Sequence, residues 1–273
     1  MLPKVLNHMC CPRMRHDDFL RMAKRIGCIG VHYRNDLVPP LFDGASPESV
    51  AKLALDEGMR ITGLAQLERF NDWNSERAEE GKILIELAKA IGAAGIGLIP
   101  VNDGIVQSDT EQASELEFAL TQLKPMLDAA GLQGFIEPLG FSGCSLRHKS
   151  DAVAAIEAVE GRGTFMLVHD TFHHYLANEQ ALGAPIFPEY TAIVEISGVV
   201  EPELTPLEME DKHRVLVDAR DRIGNVGQIR ELIEAGFAGP VSFEPFSPQV
   251  HNLIDPASEI AQSFDFIARE LAA

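Results

Sequence analysis

The feature that most constrains the fold of this chain is an eightfold alternation. Short runs rich in Val, Ile, Leu and Phe fall at Lys4–Cys10, Cys28–Arg34, Arg60–Leu67, Gly95–Val101, Leu132–Leu139, Phe165–Thr171, Ile193–Val199 and Pro240–Phe246. Apolar runs of this length suit strands covered on both faces, as in a parallel sheet. Between them, helical spacing of apolar residues predicts helices over Asp17–Ile26, Pro47–Glu57, Ser75–Ile91, Thr110–Ala130, Ser150–Val159, a short one near Tyr175–Leu182, and Asn225–Ala235, with a last one over Pro256–Leu271. Gly27, Gly58, Gly92, Gly131 and Gly236 stand where helices should stop, and "SPES" and "DPAS" read as helix starts. Eight strand–helix units in 273 residues predict a (β/α)8 TIM barrel. The competing doubly wound sheet usually carries a glycine-rich phosphate turn after its first strand, and no G-x-G-x-x-G occurs here.

With 46% hydrophobic residues and no Ser/Gly/Pro-rich linker, the chain reads as a single domain over residues 1–273. Its 23 basic and 41 acidic residues give a net charge of −18, which repels nucleic acid and anionic membranes. Neither is expected as a partner; a homo-oligomer is left open. Four cysteines without a C-x-x-C, and an N-terminus without a long apolar segment, suit reduced thiols in a cytoplasmic protein.

Active sites of such barrels lie at the carboxyl ends of the strands. Glu137 and Glu244 each follow an apolar run and precede a proline, in "GFIEPLG" and "VSFEPFS". Proline lacks an N–H and keeps the preceding residue extended, so each glutamate should close its strand. Alternation sets Glu137 on the face of Phe135 and Glu244 on the face of Ser242. Asp170 ends strand six in "LVHDTFHH" and Glu195 lies in strand seven. Four acids on consecutive strands converge on one spot, where repulsion is relieved by protonation or by a cation. Oxygen donors favour Mg²⁺, Mn²⁺ or Ca²⁺, and an added imidazole shifts the choice toward Mn²⁺, Co²⁺ or Zn²⁺. His173, one turn past Asp170, is placed to touch a ligand. His169 should face the helices, and His8, His16, His148 and His251 read as surface or hydrogen-bonded residues.

The ordered phrases "NHM", "GCIGVHYRNDL", "FNDWNSER", "IPVNDG", "FIEPLGF", "HDTFHH", "VEISGV", "DRIGNVGQIRELIEAGFAGPVSFEPF" and "PQVH" resemble the xylose-isomerase-like (β/α)8 superfamily of sugar isomerases and epimerases, closest to its 2-keto-myo-inositol (inosose) isomerases. The resemblance implies one divalent metal ion (Mn, Mg, Co or Zn) held by Glu137, Asp170, Glu195 and Glu244. It implies Glu137 and Glu244 as the catalytic acids and bases of an enediolate reaction on a small polyol or ketose, with His173 and Arg214 as substrate ligands. Trp73 and Phe172 are candidates for an apolar wall against the sugar.

Two residues depart from the family pattern. Glu195 stands where histidine is usual, and His32 where strand two usually carries glutamate. One reading has the two exchanged across the barrel mouth. An inosose dehydratase and a ketose 3-epimerase stay open because they begin with the same enolisation, and Glu195 keeps open a non-catalytic sugar-binding descendant. A related branch of DNA endonucleases is disfavoured by the charge.

Overall fold

The β-branched and aromatic runs form eight parallel strands: β1 (Lys4–Asn7), β2 (Gly30–Arg34), β3 (Arg60–Glu68), β4 (Gly95–Ile99), β5 (Gln133–Ile136), β6 (Phe165–Asp170), β7 (Thr191–Ile196) and β8 (Val241–Phe243). The computed structural model describes residues 3–38, 40–105, 107–180 and 183–273. Each strand pairs with the next, and β8 pairs with β1, so the sheet closes into a TIM barrel. Around it lie α1 (His16–Arg25), α2 (Pro47–Glu57), α3 (Ser75–Ile91), α4 (Asp109–Ala130), α5 (Lys149–Ala158), α6 (Thr171–Leu176), α7 (Asn225–Glu234), α8 (Pro248–His251) and α9 (Pro256–Ala272). No helix among the described residues is long and apolar enough to cross a membrane.

Strand alternation divides the core in two. Val5, Phe135, Val168 and Ile193 come from β1, β5, β6 and β7 and touch one another, which strands so placed in the ring can do only through the barrel interior. The opposite faces, with Leu6, Val31, Ile96, Ile136, Leu167, Val194 and Phe243, join the helices in the large outer core. Burying each such side chain stabilises the fold by about 1.5–3 kcal/mol. Inside the barrel, Gly63 leaves room for a large neighbour: a Cβ there would lie 2.7 Å from the His32 ring.

Helix ends follow their signals. Ser46 caps α2 and Asp255 caps α9 through side-chain oxygens, each with proline in the first turn. Gly58, Gly92 and Gly131 end α2, α3 and α4 in the left-handed conformation.

The structure shortens several expected strands. β1 stops at Asn7, whose side chain accepts from Met9 N and caps a 3-10 turn over His8–Cys10. β5 and β8 stop one residue before their glutamates. Glu137 N and Glu244 N still donate to Leu98 O and Ile196 O of the neighbouring strands before proline ends the ladder. The short helix after β6 starts at Thr171, earlier than expected, because Asp170 caps it; Ala181 and Leu182, within the expected range, lie outside the described residues. α8 is an element that helical spacing alone did not suggest; Ser247 and Pro248 start it.

Candidate active site

The strand ends bring the four acids together. Asp170 and Glu195 are Cα partners across β6 and β7, and Glu195 is the partner of Ser242 across β7 and β8. One carboxylate oxygen from each of Glu137, Asp170, Glu195 and Glu244 lies within 4.8 Å of the others. All four residues are buried, none more than 7% exposed. Phe135 and Ser242 are buried beneath Glu137 and Glu244, as the alternation requires.

Two arginines enter this cluster. The Arg214 guanidinium, 1% exposed, donates from Nη2 to Asp170 Oδ2 at 2.5 Å and to Glu244 Oε2 at 2.8 Å, and from Nε to Ser197 Oγ at 2.9 Å. It lies over the rings of Phe172 and Phe246, at 5.1 and 4.7 Å. Arg34 Nη1 donates to Glu244 Oε1 at 2.5 Å, while Asp36 holds its Nε and Nη2. Asn7 Nδ2 bridges Glu195 Oε1 and Glu244 Oε1 at 2.9 and 3.1 Å. Sequence reasoning expected Arg214 to hold substrate hydroxyls; the structure makes it a counter-ion of the acids. Arg34 and Asn7 were missed, although alternation from His32 sets Arg34 at the same rim.

Glu137 is different. Among the described residues its carboxylate has no hydrogen-bond partner, and His173 Nε2 stands 3.6 Å from Oε1. Burial, then the charges of Glu244, Glu195 and Asp170, push Glu137 well above the ordinary carboxylate range. Burial and Glu244 do the same to Glu195. Burial raises Glu244 as well, against the pull of Arg214 and Arg34.

A carboxyl raised in the folded state contributes stability that is fully present below its unfolded value, 4.5, and is lost as pH rises through the folded value. Buried histidines run the opposite way, so the comparison that isolates the acids is between variants. In metal-free protein, Glu195→Gln is expected to match wild type near pH 4.5. At about pH 8 it should exceed wild type by roughly 1 kcal/mol or more, read by urea unfolding across the pH range.

The histidines sort as follows. His173 is buried, its backbone N donates to Asp170 Oδ1, and burial lowers its ring to about 4, so it faces Glu137 as a neutral imidazole. His169 faces the helices, bonded to Gln228 of α7. His174 of α6 joins Lys149 of α5 and Glu179, in the turn after α6, in a buried cluster. His8, His16 and His251 are hydrogen-bonded to Met14 O, Asp43 and Pro245 O, and His148 is half-buried at 3.7 Å from Glu179.

The expected apolar wall takes other places. Trp73 is half-buried on the outer core, and a Cβ on Gly81 of α3 would lie 3.9 Å from its ring. Phe172 is buried with Leu176, Val199, Met209 and Ile223 beneath Arg214. The aromatic side chain beside both guanidinium groups is Phe246, 5.5 Å from that of Arg34.

Gly140 fixes the seat of His173. A Cβ there would lie 2.2 Å from His173 O and 2.6 Å from Leu176 Cβ. Gly140→Ala is therefore expected to destabilise the fold by about 1–3 kcal/mol in urea titrations and to move α6 against Glu137.

A divalent cation suits this donor set. Four carboxylates, with Asp36 and Asp211 on the same two guanidinium groups, leave a formal charge of −4 when all are ionised, half of which one dication offsets. Among the described residues Glu137 has no competing hydrogen bond, and every engaged carboxylate oxygen except Glu244 Oε1, which accepts from both Arg34 and Asn7, keeps a second lone-pair direction. An all-oxygen quartet is a hard site, matching Mg²⁺ or Mn²⁺. A cavity of about 480 Å³ is lined by His8, His16, Phe42, Asp43 and Arg34; Arg34 reaches Glu244, but none of the four acids lines the cavity. That volume accommodates a small ligand.

Comparison with known proteins agrees with this architecture. No curated protein sequence matches the chain. Among solved structures, a xylose isomerase domain containing protein from Salmonella typhimurium LT2 is 26% identical, with a TM-score of 0.90 over 98% of this chain and 97% of that one. The IolI protein, described with a bound zinc atom, is 20% identical at a TM-score of 0.85, covering 99% of this chain and 98% of its own. D-psicose 3-epimerase from Clostridium cellulolyticum H10, solved with D-tagatose, is 14% identical at 0.71, covering 99% of each chain. The likenesses to IolI and to the epimerase show the fold alone. The model of the xylose isomerase-like TIM barrel family matches residues 20–270, nearly the whole barrel, and the chain belongs to that family.

Proposed function

We propose that this protein is a divalent-metal-dependent isomerase of small polyols or ketoses, acting on an inosose such as 2-keto-myo-inositol or on a similar ketose through an enediolate. The observation that carries the reading is the buried quartet Glu137, Asp170, Glu195 and Glu244, with one unpartnered carboxylate. These four residues would hold the ion, which supplies Lewis-acid polarisation of a carbonyl and its neighbouring hydroxyl.

Glu137 takes the proton from the carbon beside the carbonyl, and the C–H electron pair moves toward the carbonyl oxygen to give the enediolate. A carboxylate with no hydrogen bond among the described residues suits a group that takes the proton and then returns it. Return at the adjacent carbon, with a second proton passing between the two oxygens, is isomerisation. Return at the same carbon from the other face, with Glu244 as donor, is epimerisation. Neutral His173 donates to a substrate hydroxyl beside Glu137. Arg34, Arg214 and Asn7 hold Glu244 in place. The residual negative charge favours a neutral polyol over a phosphorylated one.

The test uses protein stripped with chelator, reloaded with Mn²⁺, Mg²⁺, Co²⁺ or Zn²⁺, and incubated in D₂O with 2-keto-myo-inositol, several ketohexoses and a ketose phosphate. The expected result is deuterium beside the carbonyl, and a new isomer, for one of the neutral substrates. A second reading, a non-catalytic sugar-binding descendant, is favoured by the three donors already on Glu244. Metal binding with no exchange on any substrate decides for it.

A further inference from the structure

We propose that His32 is the positioning residue for Glu195, donating its Nδ1–H to that carboxylate when a cation is bound. The inference rests on the metal reading above and assigns a role to a residue that lies outside the quartet.

His32 projects from β2 into the barrel, where its Cα pairs with Asn7. It is 4% exposed, and among the described residues neither ring nitrogen has a hydrogen-bond partner. Either neutral tautomer carries one N–H and one bare nitrogen. Leaving a buried donor unpaired is unfavourable, so an orphaned imidazole on a rigid strand calls for an acceptor. Nδ1 stands 4.0 Å from Glu195 Oε1, about 1 Å beyond hydrogen-bond reach. The bare Cα of Gly63 lies against the ring, which is what allows an imidazole inside the barrel at this level.

Glu195 Oε1 is already fixed from one side by Asn7 Nδ2. A carboxylate rotation that moved Glu195 Oε1 by about 1 Å would bring it within reach of His32 Nδ1. The ring does not join the quartet as a ligand, because its nitrogens fall outside the set of mutually close donor atoms. It acts through Glu195. Donors that orient ligating carboxylates typically govern metal affinity by 10–100-fold.

The experiment is calorimetric titration of chelator-stripped full-length protein with Mn²⁺, in wild type, His32→Leu, His32→Asn, Glu195→Ala and the double variant His32→Leu/Glu195→Ala. Asn places an amide N–H near the position of Nδ1, whereas Leu fills the space without a donor. His32→Leu is expected to weaken Mn²⁺ by about tenfold or more and His32→Asn by less than about threefold. In the Glu195→Ala background, His32→Leu should add no further loss. Independently of any variant, titration of ¹⁵N-labelled wild type with Mg²⁺ should bring up a slowly exchanging imidazole Nδ1–H signal in the proton spectrum. Wild-type affinity in His32→Leu, equal losses in Leu and Asn variants, or no new Nδ1–H signal overturns the assignment while leaving the metal site standing. A wild type that binds neither ion overturns the metal reading itself, and this one with it.

Discussion

Glu137→Gln is expected to lower the rate of deuterium exchange beside the substrate carbonyl by about 10³-fold, within the range that a positioned acid–base group contributes. The expectation follows from the contrast among the four acids. Glu244 is held by Arg34, Arg214 and Asn7, Asp170 by Arg214 and its own helix N-terminus, and Glu195 by Asn7. Glu137 alone has no hydrogen bond among the described residues and stands beside neutral His173. The amide keeps shape and one oxygen but cannot carry the proton. Burial and three neighbouring carboxylates raise the pKa of Glu137, so the amide also relieves repulsion. Metal-free Glu137→Gln should therefore fold at least as stably as wild type at neutral pH, which separates loss of chemistry from loss of fold. Glu244→Gln should also lower turnover, and either variant should weaken Mn²⁺, since both residues belong to the quartet; but Glu244→Gln in addition releases both guanidinium groups and should destabilise the metal-free fold. Metal-free stability distinguishes the two, and a Glu137→Gln protein that exchanges at the wild-type rate at saturating metal removes Glu137 from the proton path.

Arg214→Met is expected to destabilise the metal-free protein by about 3–5 kcal/mol, the usual consequence of stranding a buried charge partner. Asp170 Oδ2 and Glu244 Oε2 both lose a donor, and Ser197 Oγ loses one contact. Methionine keeps part of the packing against Phe172 and Phe246. The control is Arg220→Met. Its ion pair with Asp218 is exposed and should contribute no more than about 1 kcal/mol. Saturating Mn²⁺ should restore much of the loss in Arg214→Met, since a dication replaces the missing positive charge. Thermal melts with and without Mn²⁺ read this directly, and the metal-induced rise in Tm should exceed that of wild type.

The barrel was legible because its eight buried strands are short, apolar and spaced by amphipathic helices, so period and length alone separate the two element types. The ends of β5 and β8 were legible through Pro138 and Pro245, which stop the ladder chemically. The start of α6 was misplaced because Asp170 does two jobs: it ends β6 and caps the next helix through His173 N, and only the first shows as a pattern. Arg34 escaped notice because a search for clustered acids does not look for their counter-ions, although Arg34 alternates with His32 on one strand. The sequence suggests His32 and Glu195 as an exchanged pair but not their contact, since β2 and β7 are not neighbours in the ring. Inside a closed barrel, inward side chains meet across the interior, and 4.0 Å separates these two.

The paired guanidinium groups also constrain how such a site can drift over generations. With two fixed positive side chains inside the cylinder, a neutral replacement at any one acid shifts the balance felt by the remaining three. Glu195→His, for example, removes one formal negative charge from the set. Substitutions among Asn7, His32, Arg34, Asp170, Glu195, Arg214 and Glu244 are thereby epistatic: the effect of each depends on which of the others came first. Lineages that exchange an acid for an imidazole here should be found to have altered a second member of the set as well.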